Sequence, residues 1–425
     1  MRQAAPFGAF LIHFSGPDAP GLTAELTGIL AQYGVSILDI GQAVVHESLS
    51  LGMLVDVNPA SLDSLESALA TRAQQLGLSS RVKPIPEEAL QHWMRNLHQS
   101  HFVVTLLGWS ISARDLSRVS AIISAHGMNV DRIERLSSQL AAGTEPANAC
   151  VELSVSGDAS SEPLMRAEFL STAQELSIDI AFQRDSIFRR NHRLFAFDMD
   201  STLIQGEVID ELAKLAGVGE RVAKITEAAM RGELNFDESF TRRVALLKGL
   251  SAESLQGLLA TIPLAHGAER LMRTLKLLGY KTAILSGGFT FFARHLQQRL
   301  GIDFIHANDL EVAAGVVTGR VIPPIVNGTR KAALLGEIAS REGISLEQVV
   351  AVGDGANDIP MLNLAGMGIA YRAKPLVREK AGHSISCLGL DGLLYLIGVR
   401  DRDVQLNDGA TAGIREENPS SRQKH

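Results

Sequence analysis

Two stretches of the chain, from about Phe7 to Ile85 and from about His101 to Arg184, run through the same succession of hydrophobic periods. Each alternates apolar and polar positions, changes to a spacing near 3.6, alternates through two further runs, and ends with a second amphipathic stretch and a short run. The order strand-helix-strand-strand-helix-strand therefore occurs twice, and each copy predicts two helices on one face of an antiparallel sheet. In the first, Leu22, Leu26, Ile29, Leu30 and Tyr33 share one helical stripe, with Asp18 as its predicted cap and Pro20 in the first turn. In the second, Ser112 opens a Ser-x-x-Asp capping pattern with Asp115. Leu116, Val119, Ile122 and Ile123 form the stripe behind it, and Val151, Leu153 and Val155 alternate with polar residues as a half-buried strand.

From Asn191 the pattern changes to short, almost wholly apolar runs that each enter a polar or Gly-rich turn and then a helix, as in a doubly wound parallel α/β sheet. The predicted strands are Leu194 to Phe197, Thr282 to Leu285, Val349 to Val352 and Met367 to Ala370. Between Gly206 and about Pro263 the pattern is helical throughout and reads as a cap over one end of the sheet. The resulting division is 1–86, 99–185, 190–400 with the cap at about 207–263, and a tail at 401–425. That tail is polar, lacks an apolar face and predicts disorder.

Composition narrows the class. The 425 residues suggest about three domains. Hydrophobic residues make up 46% and charged residues 20%, and no run approaches the ~18 apolar residues of a spanning helix, so a soluble cytoplasmic protein with no membrane partner is expected. The N-terminal apolar run soon meets Gly16-Pro17-Asp18 and reads as a first strand, not an export signal. Cys150 and Cys387 stand alone in apolar contexts, giving neither a disulfide framework nor a zinc site. A formal charge of −7 argues against nucleic acid as a partner.

The chemistry gathers at predicted strand ends. The run LFAFDMDSTL delivers Asp198 and Asp200 to the carboxyl end of a buried strand, where open α/β sheets bind ligands. Two anions so close in a cleft repel unless a cation joins them, and an all-oxygen donor set suits a hard divalent metal such as Mg2+. Downstream come Ser286-Gly287-Gly288 after a second strand and Lys331 at a helix start. Gly353-Asp354-Gly355-Ala356-Asn357-Asp358 follows a third strand.

Through these four motifs, in order, residues 190–400 resemble the haloacid dehalogenase superfamily of phosphohydrolases. The resemblance implies a HAD-like fold with Asp198 as nucleophile and Asp200 as general acid and base. It implies Mg2+ held by Asp198, the backbone carbonyl of Asp200 and Asp354, and phosphate held by Ser286, Gly287 and Lys331, with Asn357 and Asp358 beside them. The cap segments STLIQGEVIDELA and AAMRGELNFDESFTRRVALLKGL are similar to those of the phosphoserine phosphatase family. That likeness implies Glu207 on the substrate ammonium, Arg243 on its carboxylate, and Met230 and Phe236 as apolar wall and lid. It also implies O-phosphoserine as the substrate and the last step of serine synthesis as the setting.

The repeats, with GPDAPGLTAELTGILA at Gly16 to Ala31, resemble the ACT domain, a ferredoxin-like α+β module that commonly binds amino acids. The resemblance implies serine or another amino acid as effector, with Asp18 and Gly108 marking the two effector turns, and a homodimer. The second copy keeps Gly108 but lacks the Pro-Gly pair. Packing or pairing alone, transfer of the phosphoryl group to an alcohol other than water, and a non-catalytic amino-acid sensor remain open as alternatives. His192, His266 and His306 lack a pairing motif and read as structural or exposed.

Overall fold

The computed structural model describes residues 8–96, 99–138 and 148–404. They divide into two compact units, residues 1–99 and 100–425. The first unit runs β1 (Gly8–Pro17), α1 (Leu22–Gln32), β2 (Ser36–Val45), β3 (Ser48–Val57), α2 (Leu62–Gln75), β4 (Ser79–Pro84) and α3 (Glu87–Asn96). Its antiparallel sheet has the order β2-β3-β1-β4. Phe10, Ile12 and Phe14, on alternate positions of β1, bury against Leu26 and Leu30 of α1 and Leu65 and Leu69 of α2. Here the expected Asp18 cap is corrected. The N-cap of α1 is Gly21, at φ 94°, and Asp18 and Pro20 precede the helix, with the Asp18 amide donating to Glu47 O at 2.8 Å. A left-handed backbone at the cap favours glycine over the aspartate three residues earlier.

In the second unit the same order returns as β5 (Ser100–Gly108), α4 (Ala113–Ala125), β6 (Asn129–Arg135), β7 (Ala149–Gly157), α5 (Glu162–Leu176) and β8 (Asp179–Arg184), with sheet order β6-β7-β5-β8. Ser112 and Asp115 form the expected reciprocal capping box. One face of this sheet packs on its own helices through Phe102, Val104 and Leu106. The other face is also buried: Leu107, Leu136, Cys150 and Ala181 belong to one apolar cluster with the C-terminal domain.

That domain contains β9 (Leu194–Phe197), the helical insertion α6 (Val208–Leu215), α7 (Gly219–Met230), α8 (Phe236–Leu246) and α9 (Ala252–Leu259), then α10 (Ala268–Leu277), β10 (Lys281–Phe289) and α11 (Thr290–Leu300). A hairpin, β11 (Phe304–Ala313) and β12 (Val316–Ile322), leads to α12 (Gly328–Arg341), β13 (Val349–Gly353), α13 (Ile359–Leu364), β14 (Met367–Tyr371), α14 (Pro375–Lys380) and β15 (His383–Ile385). The seven strands lie in the order β12-β11-β10-β9-β13-β14-β15, parallel except for β12. The chain builds outward from β9 on one side and returns to build outward on the other. The carboxyl end of β9 is therefore the switch point where such sheets open a ligand crevice.

The four expected strands lie within β9, β10, β13 and β14. The β11–β12 hairpin and β15 were not expected, because their polar positions, such as His306, Asn308 and Asp309, break the apolar pattern. The expected start of a disordered tail is also corrected. Asp401 is buried, accepting from Ser138 N, Arg270 Nη2 and Tyr395 OH at 2.7, 2.7 and 2.9 Å. The remainder of that tail, from residue 405, lies outside the described residues. Among the described residues no helix is long and apolar enough to cross a membrane.

The seam between the second repeat and the C-terminal domain is polar as well as apolar. Asp179 accepts from the backbone amides of Ser386 and Cys387 at 2.8–2.9 Å, and Gln183 donates to Leu396 O at 3.0 Å. Arg189 and Glu152 form a buried ion pair. His192 is buried there, and neither ring nitrogen has a hydrogen-bond partner among the described residues. Burial, and then the neighbouring Arg189 charge, hold the His192 imidazole down to about 4. The folded state thus favours the neutral ring, while the unfolded chain takes up a proton near pH 6.5. Stability is unaffected above that pH and falls as pH drops from 6.5 toward 4. For His192→Phe the loss of unfolding free energy between pH 7 and pH 5 should be smaller by about 2 kcal/mol, read from urea denaturation at the two pH values.

Candidate active site

The C-terminal ends of β9, β10 and β13, with the insertion above them, enclose a cleft of about 890 Å³. Asp198 follows β9 directly, its amide donating to Val352 O of β13 at 2.9 Å. One carboxylate oxygen accepts from Met199 N at 2.7 Å, and the other lies 2.9 Å from Lys331 Nζ. Lys331, in the first turn of α12, is wholly buried and also donates to Asp358 Oδ1 at 2.7 Å. The second oxygen of Asp358 accepts from Gly355 N at 2.9 Å. Both oxygens of Asp358 are thus occupied in holding the lysine and the turn after β13.

Asp354 faces Asp198 across the cleft floor and accepts from Thr202 Oγ1 at 3.0 Å. Carboxylate oxygens of Asp198, Asp354 and Asp358 all lie within 4.8 Å of one another. Asp200 accepts from Val208 N, in the first turn of α6, at 2.9 Å. Four carboxylates therefore surround one ammonium, and the pKa values of Asp198, Asp200 and Asp354 rise. Burial, then Asp358, push Asp198 well above the carboxylate range. Burial, then Glu207, push Asp200 up to about 8, and burial, then Asp358, push Asp354 to about 7. Burial works against the charge on Lys331, but Asp198 and Asp358 outweigh it and raise its pKa. This excess of negative charge, on hard oxygen donors, fits a divalent cation.

The loop after β10 requires its glycines. A Cβ on Gly288 would run into Asp200 Oδ2 and Met199 Cε, and one on Gly287 would come 2.8 Å from Phe236 Cζ. Ser286 Oγ accepts from Gly288 N at 2.9 Å. Asn308 on β11 braces this loop, donating to Gly287 O at 2.8 Å and accepting from Val326 N at 2.7 Å. Gly353 admits Asp358 in the same way: a Cβ there would lie 2.5 Å from its carboxyl carbon.

From the insertion, Glu207 accepts from Ser201 Oγ at 3.0 Å, and Ser201 sits at φ 56°, an uncommon backbone for a residue other than glycine. Arg243, on α8, lines the cleft, and its Nε is buried with no hydrogen-bond partner among the described residues. Ser239 Oγ, one turn earlier on the same helix, is in the same state. Phe236 stacks on Phe240 at 6.0 Å, and Phe240 packs on Phe289 at 5.7 Å. Lys374 Nζ stands 3.8 Å from Met230 Sδ at the rim.

Of the residues singled out in the sequence, the cleft wall contains Asp198, Asp200, Glu207, Met230, Phe236, Arg243, Gly287, Asp354 and Asn357. Ser286, Lys331 and Asp358 are buried beneath it. Asp18 and Gly108 lie in the repeats, apart from this cleft. A Cβ on Gly108 would come 3.1 Å from Ile178 Cγ2, so that glycine has a packing reason. Ser201, Thr202, Ser239, Asn308 and Asn327 were missed. Thr202 and Ser201 stand beside the Asp-x-Asp pair and could have been found from that proximity, whereas Asn308 belongs to the unexpected hairpin.

Removing the ammonium leaves two buried carboxylates without a counter-charge. Lys331→Met should lower unfolding free energy by about 3–5 kcal/mol in metal-free buffer near pH 8, measured by urea denaturation.

Comparison with known proteins bears on both halves of the chain. Residues 9–83 and 99–183 match family models described as ACT domain, and residues 192–366 match the haloacid dehalogenase-like hydrolase model. A phosphoserine phosphatase from Streptomyces coelicolor is 41% identical over 408 residues, covering 96% of each chain. Phosphoserine phosphatase SerB2 from Mycobacterium tuberculosis is 39% identical over 412 residues, 95% of this chain and 97% of that one. Among solved structures, a probable phosphoserine phosphatase from Vibrio cholerae superposes with a TM-score of 0.55 at 30% identity. It covers 73% of this chain and 89% of its own. A HAD family hydrolase from Salmonella enterica gives 0.60 at 32%, covering 70% and 99%.

Proposed function

The chain belongs to the phosphoserine phosphatase family, with two N-terminal ACT domains on a haloacid dehalogenase-like hydrolase domain. From that premise we propose that it hydrolyses O-phosphoserine to serine and phosphate, with Mg2+, through a phospho-aspartyl intermediate on Asp198. The observation that carries the substrate assignment is the pairing of charges in the cap. Arg243 presents a buried guanidinium Nε that lacks a hydrogen-bond acceptor among the described residues, and Glu207 presents a carboxylate in the same cleft. A zwitterionic amino acid supplies one group for each, and guanidinium geometry suits a carboxylate.

At the other end of the cleft Asp198 attacks phosphorus in line. The Asp198 O–P bond forms as the seryl O–P bond breaks, and Asp200 gives its proton to the departing seryl oxygen. Burial, then Glu207, raise its pKa, which favours the protonated form from which it donates. Asp200 then takes a proton from the water that cleaves the acyl phosphate, which returns both carboxyl groups to their starting forms. Lys331, bonded to Asp198 and fixed by Asp358, offers its charge to the phosphoryl oxygens. Ser286 and the Gly287 amide, with Asn357 at the rim, are assigned to the same group. Asp198, Asp354 and the Asp200 carbonyl are the groups assigned to Mg2+, which when bound neutralises charge on the phosphoryl oxygens and polarises phosphorus. Met230 and Phe236 form the apolar wall.

The setting that follows is the last step of serine synthesis in the cytoplasm, with a homodimer and an amino-acid effector, serine first, at the ACT domains. Titration calorimetry of the full chain with serine tests the effector. Heat of binding that survives Asp18→Ala and Gly108→Val would place serine elsewhere.

Two kinetic outcomes test the activity. Phosphate release from phosphoserine should require Mg2+, stop with chelator and fall by at least ~10⁴-fold in Asp198→Asn, which keeps shape but loses the nucleophile. Arg243→Ala should raise KM for phosphoserine by roughly 10–100-fold and leave phosphoethanolamine, which lacks the carboxylate, nearly unaffected. Equal effects on both substrates would remove Arg243 from carboxylate recognition.

A further inference from the structure

The two ends of α8 are held in different ways. At the C-terminal end, Gly249 N donates to Val317 O, Val317 N to Leu250 O and Ala252 N to Gly315 O, at 2.8–2.9 Å, tying the residues after α8 to the β11–β12 hairpin. Gly319 lets the helix approach closely there, since a Cβ on it would lie 3.1 Å from Ala245 O. At the other end, the first turn of α8 lines the cleft, with Phe236 against Gly287. Among the described residues, its side-chain hydrogen bonds to the core run between Asp237 and Asn327, whose Nδ2 stands 3.1 and 3.3 Å from the two carboxylate oxygens.

Asn327 serves a second element with its other amide atom. Its Oδ1 accepts from Arg330 N at 3.0 Å as the N-cap of α12, and its carbonyl accepts from Lys331 N at 2.8 Å. Capping needs only an oxygen, which Asp or Ser supplies equally well. The donor half of the amide is left over from capping, and it is this half that reaches the cap. One planar group thus joins the first turn of α8 to the helix that carries Lys331. Both residues line the cleft, so the contact closes its rim directly.

Building on the phosphatase reading, we propose that Asn327 is a positioning residue that latches the first turn of α8 through Asp237, so that closure over the substrate and placement of Lys331 occur together. Neither residue touches the reacting atoms. The latch acts by raising the fraction of molecules whose cap is closed, and its loss lowers apparent affinity in proportion to that fraction.

Exchanging the two side chains tests this in the full chain. Asn327→Asp keeps the capping oxygen but sets two carboxylates face to face. It should lower kcat/KM for phosphoserine by about tenfold or more, chiefly through KM, and speed amide hydrogen exchange in the first turn of α8. Asn327→Ser keeps the cap, lacks the reach and should show a smaller change in the same direction. Adding Asp237→Asn to Asn327→Asp reverses donor and acceptor across the same gap, and should bring both readouts back to within about threefold of the parent. A role confined to capping would leave Asn327→Asp like the parent. A double variant no better than the worse single variant would equally overturn the latch. If the parent fails to turn over phosphoserine, the functional reading falls, and the exchange pattern of the three variants still decides the latch.

Discussion

The site depends on one buried cation. Lys331 has no exposed surface, and it is held between Asp198 and Asp358 by contacts of 2.9 and 2.7 Å. Taking a lysine out of water is unfavourable unless acceptors of good geometry replace the solvent, and here two carboxylates do so. The arrangement does not balance, however. Asp200 and Asp354 add negative charge to the same cavity, which is why burial and mutual repulsion lift their pKa values toward neutrality. The scaffold must hold together groups that repel one another. It does so by rooting each in rigid backbone: Asp198 at the end of the central strand, Lys331 in the first turn of a long helix, and Asp358 on the amide of Gly355. The excess of negative charge that Lys331 leaves unbalanced is what a divalent cation would neutralise.

On the proposed reading, chemistry and selectivity come from different parts of the chain. The sheet carries the groups assigned to phosphate and metal, while the N-cap of α6 and the helix α8 carry Glu207 and Arg243. The two parts meet with little tolerance: Phe236 of the cap lies so close above Gly287 that no side chain fits between them. The β11–β12 hairpin matters for the same reason. It braces the Gly287 loop through Asn308 and anchors the end of the cap through Val317, so it fixes both walls of the cleft at once.

How much of this was legible in the sequence follows from where each signal resides. Asp198, Asp200, Ser286, Lys331 and Asp354 sit at strand ends or a helix start, where a short apolar run followed by a polar or Gly-rich turn marks the place along the chain. The hairpin was not legible, because its strands have polar residues at positions that a distant loop satisfies, and no local pattern records such a partner. Asn308 and the donor half of Asn327 share that difficulty: the partners of those groups are 18 or more residues away. Asp18 failed for the opposite reason. A capping residue was present locally, but Gly21 in a left-handed conformation opened the helix three residues later.

A subtler signal was available in the repeats. In β1 the outward positions Leu11 and His13 are exposed and the apolar residues alternate, whereas β5 reads FVVTLLG and is buried on both faces. A strand of an antiparallel sheet that loses its alternation has something on its second side. Here that something is the C-terminal domain, clasped by Asp179 on the amides of Ser386 and Cys387 and by the apolar residues around Cys150. Two copies of one fold thus carry different physical burdens. The sheet face that is exposed at Leu11 and His13 in the first copy is, in the second, buried in one apolar cluster with the C-terminal domain through Leu107, Leu136, Cys150 and Ala181. An amino acid bound to the second copy would therefore act on a module whose sheet is already part of the catalytic domain's core. Any change it causes would reach the sheet through the contacts of this seam, among them Asp179 on the amides after β15, Gln183 on Leu396 O, Ser138 on Asp401 and the apolar cluster around Cys150.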